Sequence, residues 1–224
     1  WRHPEAGMIT PDQFIPLLEE TSLINDVSEW VLNRATRQMR EWLDQGLIGD
    51  SIKMSVNISA RQMYDKELPD KICRALAFNR LPAANLVIEI TESSLMENSD
   101  ANRATLSMLK ERGIRISLDD FGTGYSSLSY LKRFPIDQLK IDRSFIADII
   151  DDSDDAAIVT AIIAMAKSLK LETVAEGVDT ANKLDFLREL SCDVYQGYFL
   201  SKPIPPNEIE AQFLTTHIPA QIQS

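Results

Sequence analysis

Apolar and polar residues alternate in six short runs: IKMSVN (52–57), LVIEIT (86–91), IRISLD (114–119), QLKID (138–142), ETVAEG (172–177) and DVYQG (193–197). A period of two in stretches rich in Val and Ile predicts strands. Between them the apolar period lengthens to that of a helix, near 69–79, 99–112, 126–133, 154–169 and 180–190, and a last helix is predicted near 206–214. Two more helices precede the first strand. Thr10-Pro11-Asp12-Gln13 reads as a capping box with proline at the first helical position, opening a helix that runs to about Glu20. Val27, Trp30, Val31, Met39 and Trp42 recur at helical spacing over 26–45, where Gly46 stops them.

Strands that alternate with helices predict a parallel α/β fold. In each unit a polar residue falls toward the C-terminal end of the strand: Asn57, Glu89, Asp119 with Asp120, Lys140, Glu176 and Gln196. In a parallel sheet those ends face one way, so the pattern aims amides, acids and one lysine at a common mouth. Any one of them alone could be a solvated strand end. Together they are harder to dismiss, because buried carboxylates without partners are costly. The spacing between successive polar ends is close to the roughly 30 residues per unit of an eight-unit barrel of about 250 residues. Six units cannot close such a barrel, and the two leading helices have no strand of their own to cover. Strands upstream of Trp1 are therefore expected, and with them two bare sheet edges and an exposed apolar interior in this chain, hence poor solubility and weak or no activity.

Composition narrows the classes. At 224 residues and 44% apolar content the chain suits one domain, read as 1–214 with a loose tail over 215–224. It has no long apolar run for a membrane helix and no signal-peptide pattern, which points to the cytoplasm; it starts at Trp1 without an initiator Met, as a piece of a longer protein would. Cys73 and Cys192 show no pairing or metal spacing and read as buried, reduced thiols. A net charge of −11 opposes a phosphate backbone, so DNA and RNA are improbable partners, whereas a compact phosphate ligand remains open if metal supplies positive charge. His3 and His217 are the sole histidines and lie near the ends, so any metal should have oxygen ligands.

Glu89, Asp119 and Asp120 with the Asn57 carbonyl form an anionic all-oxygen set suited to Mg²⁺ or Mn²⁺. Adjacent aspartates can share two ions about 3.5–4 Å apart, the arrangement of two-metal phosphoryl hydrolysis. Lys140 among acids should stay protonated and could hold a water or a phosphate oxygen, and Glu176 could take a proton from that water. Ser126 and Ser127 have no histidine near them in sequence. A Schiff base on Lys140 competes, but surrounding carboxylates would keep that lysine a poor nucleophile. Gly122 and Gly124 in DDFGTG suit a tight turn, a loop over a ligand or a subunit contact, with Phe121 and Tyr125 packing the loop or stacking on a base.

VNISARQ (56–62), EITES (89–93), LDDFGTGYSSLSYLKRFPIDQLKIDRSFI (118–146), VAEGVDT (174–180) and YQGYFLSKPI (195–204) together resemble the EAL-domain cyclic-di-GMP phosphodiesterases, from Trp1 to about Phe213. The resemblance implies a TIM-type (β/α)8 barrel with one antiparallel strand, here lacking the first strands, that cleaves cyclic di-GMP to linear pGpG with two Mg²⁺ or Mn²⁺ ions. It implies Asn57, Glu89 and Asp119 at the first ion, Asp119 and Asp120 at the second, Gln196 completing that second shell, and Glu176 also near the metals. Lys140 and Glu176 would handle the nucleophilic water. Glu92 would anchor the glycine loop, with Gly122, Gly124, Tyr125 and Asp142 supporting loop and ligand. A homodimer through the 119–133 loop and helix is implied as well, as are other domains of a longer parent chain.

The chain departs from the family at its front. WRHPEAG resembles the sequence just after the Glu-Ala-Leu motif, so that motif's Glu and the Arg that would meet a ligand phosphate are absent from the chain. Two functions stay open: an active phosphodiesterase in bacterial second-messenger signalling, or a catalytically silent receptor that binds cyclic di-GMP and acts on a partner.

Overall fold

The computed structural model describes residues 1–21, 23–97, 99–123 and 131–214. The chain opens with a small antiparallel hairpin, β1 (Arg2–His3) and β2 (Gly7–Met8), which the sequence reading did not foresee. Trp1 is exposed, its ring edge-on to His3 and Phe14. Helix α1 (Pro11–Glu20) starts with Pro11 at its first position, but Thr10 makes no side-chain cap, so the predicted capping box does not form. Helix α2 (Ile24–Asp44) buries a stripe of Leu32, Thr36, Met39 and Trp42, whereas Trp30 and Val31 face outward. Of the residues read at helical spacing, Met39 and Trp42 lie in the buried stripe and Trp30 and Val31 do not.

Six strands follow: β3 (Met54–Asn57), β4 (Leu86–Thr91), β5 (Arg115–Phe121), β6 (Gln138–Ile141), β7 (Glu172–Glu176) and β8 (Val194–Gln196). They pair in sequence order, all parallel. The sheet curls into a half-barrel, and residues of its first and last strands, Ser55 and Gln196, line one cavity. All strand C-termini therefore open at the same end.

Strand alternation builds two faces. Ile88, Ile90, Ile116, Leu118, Leu139 and Ile141 point outward and are essentially fully buried, together with Leu106 and Leu109 of α6 (Ser99–Glu111). Each such side chain contributes roughly 1.5–3 kcal/mol. The concave face carries Ser55, Glu89, Ser117, Gln138, Lys140 and Glu172, with Val87, Val174 and Val194 among them. This modifies the expectation of an apolar interior: charged and amide side chains stand among the valines, because the second face of a period-two strand carries the residues the core face does not. Beneath the mouth, Ser117 donates to Gln138 at 2.8 Å, and Gln138 and Arg115 both donate to Glu172, at 3.1 and 2.6 Å.

Short helices launched from strand ends complete the mouth. Thr91 caps α5 (Glu92–Met96) by accepting from Ser94 N–H, and Asp142 caps α7 (Arg143–Ala147) by accepting from Ser144 N–H at 2.9 Å. The other outer helices are α3 (Ala60–Met63), α4 (Leu68–Asn79), α8 (Ser153–Ser168), α9 (Ala181–Glu189) and α10 (Pro206–Ile209). A π-helical turn over Glu210–Leu214 ends the described chain, and the tail read over 215–224, His217 included, lies outside the described residues, as does most of the helix read near 126–133. Among the described residues no helix is long and apolar enough to cross a membrane.

A carboxylate site on a bulged strand

Adjacent residues on a regular strand point to opposite faces, so Asp119 and Asp120 should not both reach the mouth. The register resolves this. Leu118 pairs with Leu139 and Phe121 with Ile141, so two aspartates stand opposite the single residue Lys140. This is a β-bulge, the irregularity that re-aims a side chain beside a site. Asp120 takes the extra residue's conformation, with φ of +54°. Its carboxylate thereby joins those of Asp119 and Glu176, with one oxygen from each lying within 4.8 Å of the others.

Lys140 occupies the centre. Its Nζ lies 2.9 Å from Glu89 Oε2, 2.9 Å from Asp119 Oδ1 and 2.7 Å from Glu176 Oε1, and all four side chains are buried or nearly so. Burial alone would lower the lysine's pKa, but Glu89, Glu176 and Asp119 outweigh it and hold it above the usual lysine range. An ammonium so held is a fixed positive charge and a poor nucleophile, which disfavours the Schiff-base chemistry. Burial raises the Glu176 carboxyl above its ordinary range, against the pull of Lys140 and with a further push from Asp119 and Glu89. Asp120 is raised by burial first and by Asp119 second. Four acids against one lysine leave three formal negative charges when all are ionised. The donors are hard oxygens, and an oxygen-seeking divalent cation fits that deficit.

The remaining predicted residues divide by position. Asn57 pairs in register with Glu89, and Gln196 with Glu176, so both stand beside the acids, yet both are exposed at the rim and neither joins the Lys140 contacts. Glu92, at the start of α5 and 3% exposed, accepts from Gly122 N–H at 3.0 Å. Gly122 has φ of +102°, and a Cβ there would meet the Phe145 ring at 2.7 Å, so glycine is required on both counts. Asp142 faces the mouth from the cap of α7. Gly124 and Tyr125 lie outside the described residues, as do Ser126 and Ser127.

A cleft of about 770 Å³ opens over these groups, lined by Asp120, Asp142, Glu176 and Gln196. Sequence reasoning missed much of its wall, including Arg143, Asp179, Tyr198 and Lys202. Arg143 follows the capping Asp142, and the signal for Tyr198 and Lys202 was their place directly after the Gln196 strand end.

Comparison with known proteins agrees with this arrangement. The family model described as EAL domain matches residues 1–203. The bifunctional diguanylate cyclase/cyclic di-GMP phosphodiesterase MucR of Pseudomonas aeruginosa is 49% identical over 211 residues, covering 94% of this chain and 30% of MucR. The cyclic di-GMP phosphodiesterase NbdA of the same organism is 45% identical over 217 residues, covering 97% of the chain and 27% of NbdA. The chain thus spans less than a third of the length of either relative. A solved structure of the MucR phosphodiesterase in complex with c-di-GMP superposes with a TM-score of 0.90 at 48% identity, covering 93% of this chain and 84% of that one.

Proposed function

The chain belongs to the EAL domain family, and from that footing we propose that it hydrolyses cyclic di-GMP to linear pGpG with the help of Mg²⁺ or Mn²⁺. The observation that carries this reading is the bulge that turns Asp119 and Asp120 together toward Glu176 around a buried lysine. Two adjacent carboxylates with a third across the mouth are what a divalent cation needs and what a purely structural strand end does not.

In this reading Glu89, Asp119 and Asp120 with the amides of Asn57 and Gln196 would hold the cations, Glu176 stands beside them, and Glu92, accepting from Gly122 N–H, anchors the backbone after Asp120. Bound there, the ions would supply Lewis-acid polarisation of the phosphodiester and of a water. Hydrolysis adds that water across one P–O3′ bond: its oxygen joins phosphorus and a proton ends on the 3′ oxygen. Glu176, with its pKa raised by burial, is the group suited to accept the water's proton. Lys140 orients the Glu89, Asp119 and Glu176 oxygens and offsets charge on the phosphate. The cleft has the size of a small-ligand site, and its acids oppose a long phosphate backbone. Homodimerisation through 119–133, further domains in a longer parent and a cytoplasmic setting belong to the same proposal.

The test is pGpG release from cyclic di-GMP with Mg²⁺ or Mn²⁺, with Ca²⁺ as the inhibitory comparison and Asp119→Ala as the control. Release that depends on the metal and is lost in the variant supports hydrolysis. Tight binding of nucleotide that stays intact would support the silent receptor instead.

A further inference from the structure

The cleft over Glu176 has a wall that the carboxylate chemistry leaves unexplained, the segment that follows β8. Its backbone is pinned on both sides of Tyr198. Val178 N–H donates to the Gln196 carbonyl at 3.0 Å, and Phe199 N–H donates to the Val178 carbonyl at 3.0 Å. Between them Gly197 approaches Val178 so closely that a Cβ would overlap the valine's backbone. Tyr198 is thus presented on a rigid strip, yet its side chain is not buried: the residue is 64% exposed and lines the cleft. Lys202 Nζ sits over one face of the ring, 5.7 Å from its centroid. A rigid aromatic ring with a cation over one face leaves its other face for a base, which matches the base and charge of a nucleotide. A peptide of apolar side chains would offer no partner to the cleft's Asp12, Asp120, Asp142, Glu176 and Asp179.

We propose that Tyr198 is a stacking platform for one purine base of the nucleotide, with Lys202 holding the ring's opposite face and Gly197 fixing its height against Val178. This rests on the reading that the cleft takes a cyclic dinucleotide, and it assigns base binding to a residue outside the carboxylate set. The role is in binding: the base is held equally in ground and transition states, so the platform acts on KM and leaves kcat alone.

The experiment compares wild type, Tyr198→Leu, Tyr198→Ser and Tyr198→Phe by equilibrium binding of a fluorescent cyclic di-GMP in Ca²⁺ and by steady-state hydrolysis in Mg²⁺. Leu and Ser should each raise Kd and KM about tenfold, the loss of one base–aromatic stack, with kcat kept. Phe should restore wild-type binding, because the π face remains. Unchanged Kd in the Leu and Ser variants would overturn the proposal, and so would a loss confined to kcat. Wild-type protein that binds the nucleotide without cutting it would remove the hydrolytic reading alone, and the Kd series would still decide the platform. No binding by wild type would remove both.

Discussion

Lys140 Nζ stands 2.7 Å from Glu176 Oε1 on the adjacent strand, while the same ammonium reaches Glu89 two strands away in the other direction. One buried cation thus ties four strands of the half-barrel, β4 to β7, at the mouth, and among the described residues it is the sole positive side chain paired with these acids.

Replacing that cation should be costly. Lys140→Met leaves Glu89, Asp119 and Glu176 facing one another in a buried site, and removing one partner of a buried ion pair typically costs about 3–5 kcal/mol. Urea unfolding in chelator should show that loss, and millimolar Mg²⁺ should restore part of it. The pH window follows from the raised lysine pKa: Lys140's stabilisation is fully present below the ordinary lysine range and is lost only as pH rises through its higher folded value. An alkaline limb in activity below about pH 10 would therefore belong to another group.

Asp120 separates charge from backbone. Its φ of +54° is tolerated by Asn, so Asp120→Asn should keep wild-type stability while metal-dependent hydrolysis falls at least about 100-fold. Asp120→Val places a β-branched residue in the left-handed region and should cost about 1–2 kcal/mol in addition. Urea midpoints and pGpG release, measured side by side, check both.

Gly122→Ala should destabilise by about 1–3 kcal/mol, since φ of +102° and the nearness of Phe145 both exclude a Cβ. Glu92→Gln removes the charge but can still accept from Gly122 N–H, so it should retain most of the stability. Thermal melts of the two variants should differ in that order.

The cysteines should react unequally. Cys192 is buried, and burial pushes its thiol pKa up, whereas Cys73 is half-buried. Iodoacetamide at pH 8 should alkylate Cys73 first and Cys192 only on unfolding, read by peptide mass spectrometry. Because the native state holds the Cys192 proton to higher pH than the unfolded chain does, its contribution to stability is present below the ordinary thiol range and declines as pH rises through it.

Much of this was legible in the sequence. The run LVIEIT forms strand β4 over Leu86–Thr91, and α1 ends at Glu20, because local alternation and start signals act over a few residues. Glu89, Lys140 and Glu176 could be placed at one mouth since every parallel strand ends there. What was illegible depended on partners far along the chain: the outward turn of Trp30, the failed Thr10 cap and the polar concave wall around Gln138 and Glu172.

The sequence alone determined which chemistry was available, namely a lysine and several acids at the ends of alternating strands in a parallel α/β fold. Only the tertiary structure decided that both adjacent aspartates serve one site. Strand periodicity would send Asp119 and Asp120 to opposite faces, and only their pairing with β6, where two residues oppose Lys140, turns Asp120 back toward Glu176. The charge on Lys140 was expected from the acids around it in the pattern, but which of them hold it was decided in the same way: Glu89 lies 51 residues before it in sequence and 2.9 Å from it in space. Short-range patterns set elements, but register and burial are properties of the assembled sheet.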